Sequence, residues 1–523
     1  MREDWLDIEI GEVANIYNGN SINAQVKEVK YKNLKEGFNY IGTKDVGFDA
    51  VVNYENGVKI PFDEGSFKIA PKGCVLVCSE GGSAGRKTAY IENDVCFGNK
   101  LYAITDEYNV LEGKYVFYYS RYRKFFEDFK NQMNGIIGGV STNKFAEILF
   151  PLAPIPVQRA IISKTEELFS DLDNGIANFK KAQEQLKIYR QAVLEQGLTG
   201  VFTSNFRKNN PQLEASEVLF QKIQDEIDFS YRKACKEAKE NGKNKPKDQR
   251  KNKKAINVTS YLPETPWNYY RLEDITYLVS DGTHFTPKYQ KQGIKFLSVK
   301  NVRPFRIKDD DIKYISEDEH KKLIGRCKPE NGDILYTKVG ATYGYASKVK
   351  LDYEFSIFVS LCLIKPVYKY FLTEYLEYLM NSEIVFRQAR QRVSGSGVPD
   401  LHLVEIRDFK IPLPSVEEQR IIIQEIESRL SVCDKVEQSI NESIIKAETL
   451  RQSILKKAFE GKLLSQAEIE QCKQAADYEP ASELLKKIKA EKLAKEQALR
   501  QAQGDKKKKA TTKKKSKSTQ NSK

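Results

Sequence analysis

Gln158-Arg159-Ala160-Ile161-Ile162 returns as Gln419-Arg420-Ile421-Ile422-Ile423, a displacement of 261 residues. The same displacement carries Pro151-Leu152 onto Pro412-Leu413 and Gly200 onto Gly461. It also carries Arg190-Gln191-Ala192-Val193-Leu194 onto Arg451-Gln452-Ser453-Ile454-Leu455. A displacement held over about fifty residues tolerates no insertion between its ends, so the chain contains two elements of equal length.

Upstream of each element the match is looser. Trp5 corresponds to Trp267 and Val13 to Ile275. Tyr40-Ile41 before Lys44-Asp45-Val46 corresponds to Phe296-Leu297 before Lys300-Asn301-Val302, and Gly73-Cys74-Val75-Leu76 to Gly332-Asp333-Ile334-Leu335. A drifting displacement marks short loop insertions on a shared framework. The order predicted is a first globular domain (1–150), a long helix (151–202), a basic, partly helical linker (203–260), a second globular domain (261–411), a second long helix (412–464), a C-terminal helical segment (465–504) and a disordered Lys-rich tail (505–523).

The long elements read as helices with a narrow apolar stripe. Ile161, Leu168, Leu172, Ile176, Phe179, Leu186 and Val193 recur at three-to-four spacing in the first. Ile422, Ile426, Val436, Ile440, Leu450 and Ile454, with Cys433 and Ala447 between, do so in the second. Such a stripe predicts a coiled-coil seam between the two copies. Pro151, Pro154 and Pro156, like Pro412 and Pro414, mark the starts, because proline is tolerated in a first helical turn and not beyond it.

The globular halves mix strand and helix signals. Val75 to Val77, Ile334 to Tyr336 and Phe358 to Ile364 are short apolar runs bounded by turn residues. Glu112 to Phe129 and Tyr370 to Arg392 have helical spacing. The fold class expected is α+β: two similar mixed domains, each followed by a long helix.

Composition adds a charge argument. The chain has 523 residues, with 85 Lys+Arg against 72 Asp+Glu and a net charge of +13. That balance suggests an anionic partner, yet residues 231–256 and 506–523 together hold more positive charge than the total. Neither globular half is strongly basic. The start of the chain is acidic rather than signal-like and no apolar run approaches the roughly 20 residues of a membrane span, so a cytoplasmic location without membrane contact is expected. The eight Cys are scattered and only three His occur, which points to reduced thiols and no zinc site.

Catalytic signatures are missing. Ser79 to Thr88 superficially resembles a phosphate-binding loop, but Arg86 stands where that motif places lysine. The corresponding loop, Lys338 to Tyr345, has no lysine after Gly344. No NPPY-type methyltransferase tetrapeptide, nucleophile elbow or metal spacing appears. A binding role suits these loops better, because glycine lets backbone approach a ligand while cations and hydroxyls meet phosphates or base edges. The candidates for nucleic-acid contact are Asn18, Asn20, Lys44, Ser79, Gly81, Arg86, Lys87 and Gly139 in the first half. In the second they are Thr283, His284, Lys300, Lys338, Thr342, Tyr343, Tyr345 and Ser396. A non-catalytic coiled-coil scaffold joining two protein-binding modules is the alternative that these residues leave open.

The proline-led Glu417-Glu418-Gln419-Arg420, the long helix after it, Arg451-Gln452-Ser453-Ile454-Leu455 and Gly461-Lys462-Leu463 resemble the specificity subunit of type I restriction-modification systems. Leu262-Pro263 to Trp267, Leu272-Glu273-Asp274-Ile275 and Glu479-Pro480-Ala481-Ser482-Glu483-Leu484-Leu485 extend the resemblance to most of the chain. The first copy departs from it, with Pro156-Val157 where the second has Glu417-Glu418. The resemblance implies two target-recognition domains, each reading half of a bipartite sequence in double-stranded DNA, held apart by an antiparallel helix pair. It also implies two methyltransferase subunits and restriction subunits as partners. S-adenosylmethionine, ATP and Mg²⁺ would then be bound by those partners and not by this chain.

Overall fold

The computed structural model describes residues 3–133, 138–242, 244–246, 248, 262–393, 397–495 and 497. The two long helices run Ile155–Leu198 and Val416–Phe459, 44 residues each, so the 261-residue displacement holds at both ends. At a rise of about 1.5 Å per residue each is roughly 66 Å long.

Both helices are stopped by the same device. Gly200 and Gly461 adopt φ of +84° and +69°, a left-handed turn that costs glycine little. The next amide then closes back on the helix: Val201 N donates to Gln196 O at 2.9 Å, and Lys462 N to Lys457 O at 2.7 Å.

Their starts are fixed by a buried glutamine. Gln158 Oε1 accepts from Glu112 N at 2.9 Å while its amide donates to Val110 O and Ala153 O. Gln419 repeats the pattern with Leu372 N, Tyr370 O and Pro414 O. The amide thus satisfies backbone groups that solvent does not reach.

The chain divides into two compact units, residues 1–179 with 442–523, and residues 180–441. Each unit takes half of each long helix. In the first, Val157 and Ile161 share a core with Leu455, Ala458 and Phe459. In the second, Val193 and Leu198 share one with Ile422 and Ile426. The beginning of one helix meets the end of the other, so the pairing is antiparallel.

The two globular parts have one topology. A four-stranded antiparallel sheet is ordered Ala14–Asn18, Leu101–Asp106, Val75–Cys78, Thr88–Tyr90 in the first unit. Thr276–Asp281, Leu361–Pro366, Ile334–Thr337 and Ala346–Lys348 take the same order in the second. A second sheet contains a parallel pair, Phe38–Ile41 with Val95–Phe97, and Ile294–Leu297 with Phe355–Ile357. Two further strand pairs, Leu6–Glu9 with Leu149–Leu152 and Tyr269–Arg271 with Lys410–Pro412, bring each domain's entry beside its exit.

Two expectations differ from the structure. Each predicted domain helix is two: Gly113–Arg121 and Arg123–Asn131, then Thr373–Met380 and Glu383–Arg392. Extended backbone at Tyr122 (ψ 134°) and Ser382 (ψ 162°) breaks them, which apolar spacing alone does not reveal.

The linker contains two helices, Ser204–Asn209 and Ser216–Glu240, and Leu219, Ile223 and Ile227 join the core of the second unit. In the first unit Gln466–Lys473 and residues 481–495 play the same part, burying Ala481, Leu484 and Ile488. Residues 249–261 and the Lys-rich 505–523 lie outside the described residues.

The seam is narrower than drawn. Ile161, Val193, Ile422, Ile426, Cys433, Ile440 and Ile454 are buried, and Leu168, Leu172, Ile176, Phe179 and Leu186 half-buried. Val436 and Leu450, expected in it, are 42% and 49% exposed. Both continue the seven-residue series of Ile422, whereas buried Cys433, Ile440 and Ile454 continue that of Ile426, and a two-helix pair covers only a narrow stripe of either surface.

Candidate nucleic-acid interface

In each domain a buried strand leads into a glycine turn. After Val75–Cys78, Gly81 (φ +80°) and Gly85 (φ +67°) make the turn; after Ile334–Thr337, Gly340 (φ +84°) and Gly344 (φ +94°) do. The two glycines of each pair differ in purpose. A Cβ on Gly85 would meet the Phe129 ring at 2.5 Å, and one on Gly344 the Phe386 ring at 2.8 Å, so these positions are packing positions. Gly81 and Gly340 have nothing within 4 Å of such a Cβ and face open space.

Both turns then enter a strand, Thr88–Tyr90 or Ala346–Lys348, rather than a helix. The helix N-terminus that holds phosphate in a nucleotide-binding loop is therefore missing. Among the described residues no group of three or more His, Cys, Asp or Glu could hold a metal ion, and no helix is long and apolar enough to cross a membrane.

Each turn is docked against the segment that precedes the long helix. Gly81 N donates to Gly138 O at 2.9 Å and Val140 N to Ser79 O at 3.1 Å. Gly340 N donates to Pro399 O at 2.9 Å and Leu401 N to Lys338 O at 2.9 Å. The structure thus brings Ser79, Gly81 and Gly139 together. Ser79 is buried, which leaves its backbone and not its side chain at the turn. Ser396 lies outside the described residues.

In the second unit His284 and Lys338 converge on a residue that sequence reading passed over. Asp281 is buried at the end of its strand, and its carboxylate meets Arg326 Nη2 at 2.6 Å and His284 Nε2 at 3.2 Å. Lys338 Nζ, also buried, lies 4.0 Å from Asp281 and 3.9 Å from Asp400. Lys338 therefore braces the turn from within, His284 stands exposed, and half-buried Thr283 accepts at Oγ1 from Phe285 N at 3.2 Å. The Asp281-Gly282 step is the signal for this cluster: a Cβ on Gly282 would strike Ile357 O at 2.1 Å. Thr342 accepts at its carbonyl from Thr337 Oγ1 at 2.6 Å, Tyr343 stacks on Phe386 with centroids 5.6 Å apart, and Tyr345 is half-buried beside them.

In the first unit Arg86 and Lys87 lie 5.3 and 5.0 Å from the ring of Phe48, which no sequence motif singles out. Lys87 Nζ also donates to Thr43 O at 3.1 Å, next to exposed Lys44. Lys300 is likewise exposed in the second unit. Asn18 and Asn20 do not join this group. Both anchor the segment 66–68, Asn20 by accepting from Lys68 N at 2.8 Å and Asn18 by accepting from Lys68 Nζ at 3.1 Å.

The surfaces so assembled offer backbone, cations and hydroxyls without a nucleophile, base or metal set. Comparison with known proteins agrees. The family model described as "Type I restriction modification DNA specificity domain" matches residues 2–187 and again 264–446. The type I restriction enzyme EcoBI specificity subunit of Escherichia coli is 26% identical over 512 residues, spanning 94% of both chains. The EcoKI specificity subunit of Escherichia coli (strain K12) is 23% identical, over 94% of this chain and 97% of its own. A solved chain from work on complex assembly and conformational transition of the type I R-M system has the same fold, with a TM-score of 0.56 and 15% identity over 88% of this chain and 98% of that one. With its family model met twice, once in each unit's globular part, the chain belongs to the type I restriction-modification DNA specificity family, as a specificity subunit with two target-recognition domains.

Proposed function

We propose that each target-recognition domain reads one half of a split DNA sequence and that the two long helices set the unread spacer. The observation that carries this reading is the equal 44-residue length of the helices beside target-recognition domains whose sequences match only loosely, with a drifting displacement. Half-sites must lie at a fixed phase on the double helix, so a ruler has to be constant while its readers vary.

The repeated helix starts and the two packed helical segments give the chain two like faces, which suits two methyltransferase subunits, with restriction subunits joining them. S-adenosylmethionine, ATP and Mg²⁺ belong to those partners, and this chain takes part by recognition without a chemical step. Work in the cytoplasm follows from that role.

The test is an insertion. Four residues added between Leu168 and Tyr189 should change the preferred spacer of the methylated sequence, read as modified adenines across the genome, while both half-sites stay the same. An unchanged spacer would overturn the ruler. Exchange of residues 1–150 for another recognition domain should alter one half-site alone.

A further inference from the structure

Two short hairpins, one per target-recognition domain, carry features that the glycine turns do not explain. The first closes between Val46 and Val52, the second between Val302 and Ile307. They are repeat mates in detail. Gly42 N donates to Asp45 Oδ2 at 2.8 Å, as Ser298 N does to Asn301 Oδ1 at 3.0 Å. Asn53 N donates to Asp45 O at 2.8 Å, as Lys308 N does to Asn301 O at 2.7 Å.

Each tip holds a residue in the left-handed region, Ala50 at φ +71° and Phe305 at φ +61°. The other non-glycine residues described with positive φ are Asn33, Asn109 and Asp311, types that tolerate it. An Ala and a Phe do not, and such strain persists where function retains it. Each tip also exposes a phenyl ring, Phe48 at 56% and Phe305 at 42%. A cation accompanies each tip: Arg86 lies 5.3 Å from the Phe48 ring in the first domain, and Arg306 follows Phe305 in the chain in the second, where the Phe305 ring packs on Tyr378 with centroids 5.3 Å apart. Neither guanidinium makes a hydrogen bond or ion pair among the described residues, and both residues are exposed. Asp49, the acid at the first tip, accepts from Val51 N at 3.2 Å within the hairpin.

We infer that tips 47–51 and 303–306 are paired contacts to duplex DNA, an inference that rests on the split-site reading above. Arg86 and Arg306 neutralise phosphates, and Phe48 and Phe305 press on the adjoining sugar or base edge, the combination by which apolar wedges work beside cations on a polyanion. A protein surface would instead need acids opposite these cations.

The experiment uses the full chain assembled with its methyltransferase subunits and a duplex carrying the methylated genomic sequence. Binding is read by fluorescence anisotropy over a salt series. R86A and R306A should each flatten the slope of log affinity against log salt by about 0.9. F48A and F305A should weaken binding about tenfold with the slope unchanged. F305N, whose side chain tolerates the left-handed backbone, should weaken binding while keeping or raising the melting temperature. Unchanged affinity and slope in all of these would overturn the inference. Loss of methyltransferase co-elution would overturn it too, by making the tips protein contacts. If the unaltered complex shows no salt-dependent binding to that duplex, the split-site reading itself fails, a result separable from failure of the tips alone.

Discussion

Arg190 on the first long helix donates to the Asp434 carboxylate on the second at 2.7 Å. Their repeat mates, Arg451 and Asp173, form the same ion pair with the helices exchanged. One pair lies in each unit, so the antiparallel pairing is registered twice by the same two residue types. Glu437 joins the first pair at 2.9 Å. Arg190 is partly covered and Asp434 largely exposed, which keeps the contribution near that of surface pairs. R190A and R451A should each cost about 1 kcal/mol or less, seen as a drop in melting temperature of a few degrees that shrinks in high salt. A loss several times larger would mean that the pairs hold the helices rather than align them.

Glu418 is a different case. Its buried carboxylate accepts from Arg207 Nη1 and Trp267 Nε1, both at 2.9 Å. E418A leaves the Arg207 charge without its carboxylate and an indole N–H without partner, and should cost about 3 kcal/mol. E418Q keeps one acceptor and should cost less. Urea unfolding followed by tryptophan fluorescence reports it, since only Trp5 and Trp267 contribute and the second sits on Glu418. The first copy has Val157 in this place, packed in the apolar core, so V157A should leave the Trp267 emission unmoved.

The helix-start glutamines should behave as equals. Q158L and Q419L each strand one amide and two carbonyls in a buried setting, at about 2 kcal/mol per substitution. Being in separate units, the two should be additive in the double variant. Differential scanning calorimetry would show whether one unit loosens before the other.

Thiol chemistry should report burial. Burial pushes the thiols of Cys74 and Cys327 up to about 12 and that of Cys96 to about 11. A thiol reacts as its anion, so at pH 8 these side chains are protonated and covered. Alkylation of the native protein at pH 8, read by mass spectrometry, should label Cys235, which alone is partly exposed among the eight. Labelling of Cys74 or Cys327 before unfolding would contradict the buried strand and core that hold them.

What could be read in the sequence was whatever repeats at constant spacing. The 261-residue displacement predicts two helices of one length, and the structure shows 44 residues in each. Periodicity told which residues face inward, because a helix returns the same face every seven residues. It did not tell how wide the covered stripe is, and so Val436 and Leu450 were placed in a seam that leaves them exposed. Within the linker, three apolar positions at spacing four, Leu219, Ile223 and Ile227, anchor the helix Ser216–Glu240 in the second unit's core.

The candidate interface shows the same division. Gly81, Gly340 and their docking segments were legible because the glycine pattern recurs. Asp281 and Phe48 were not, since each gains its meaning from partners distant in sequence: Arg326 and Lys338 for one, Arg86 and Lys87 for the other. Sequence by itself determined the repeat, the helix lengths and the family, all properties of local spacing. Only the tertiary structure decided which side chains share a surface, because charge and aromatic contacts act through space over a few ångströms and carry no mark along the chain.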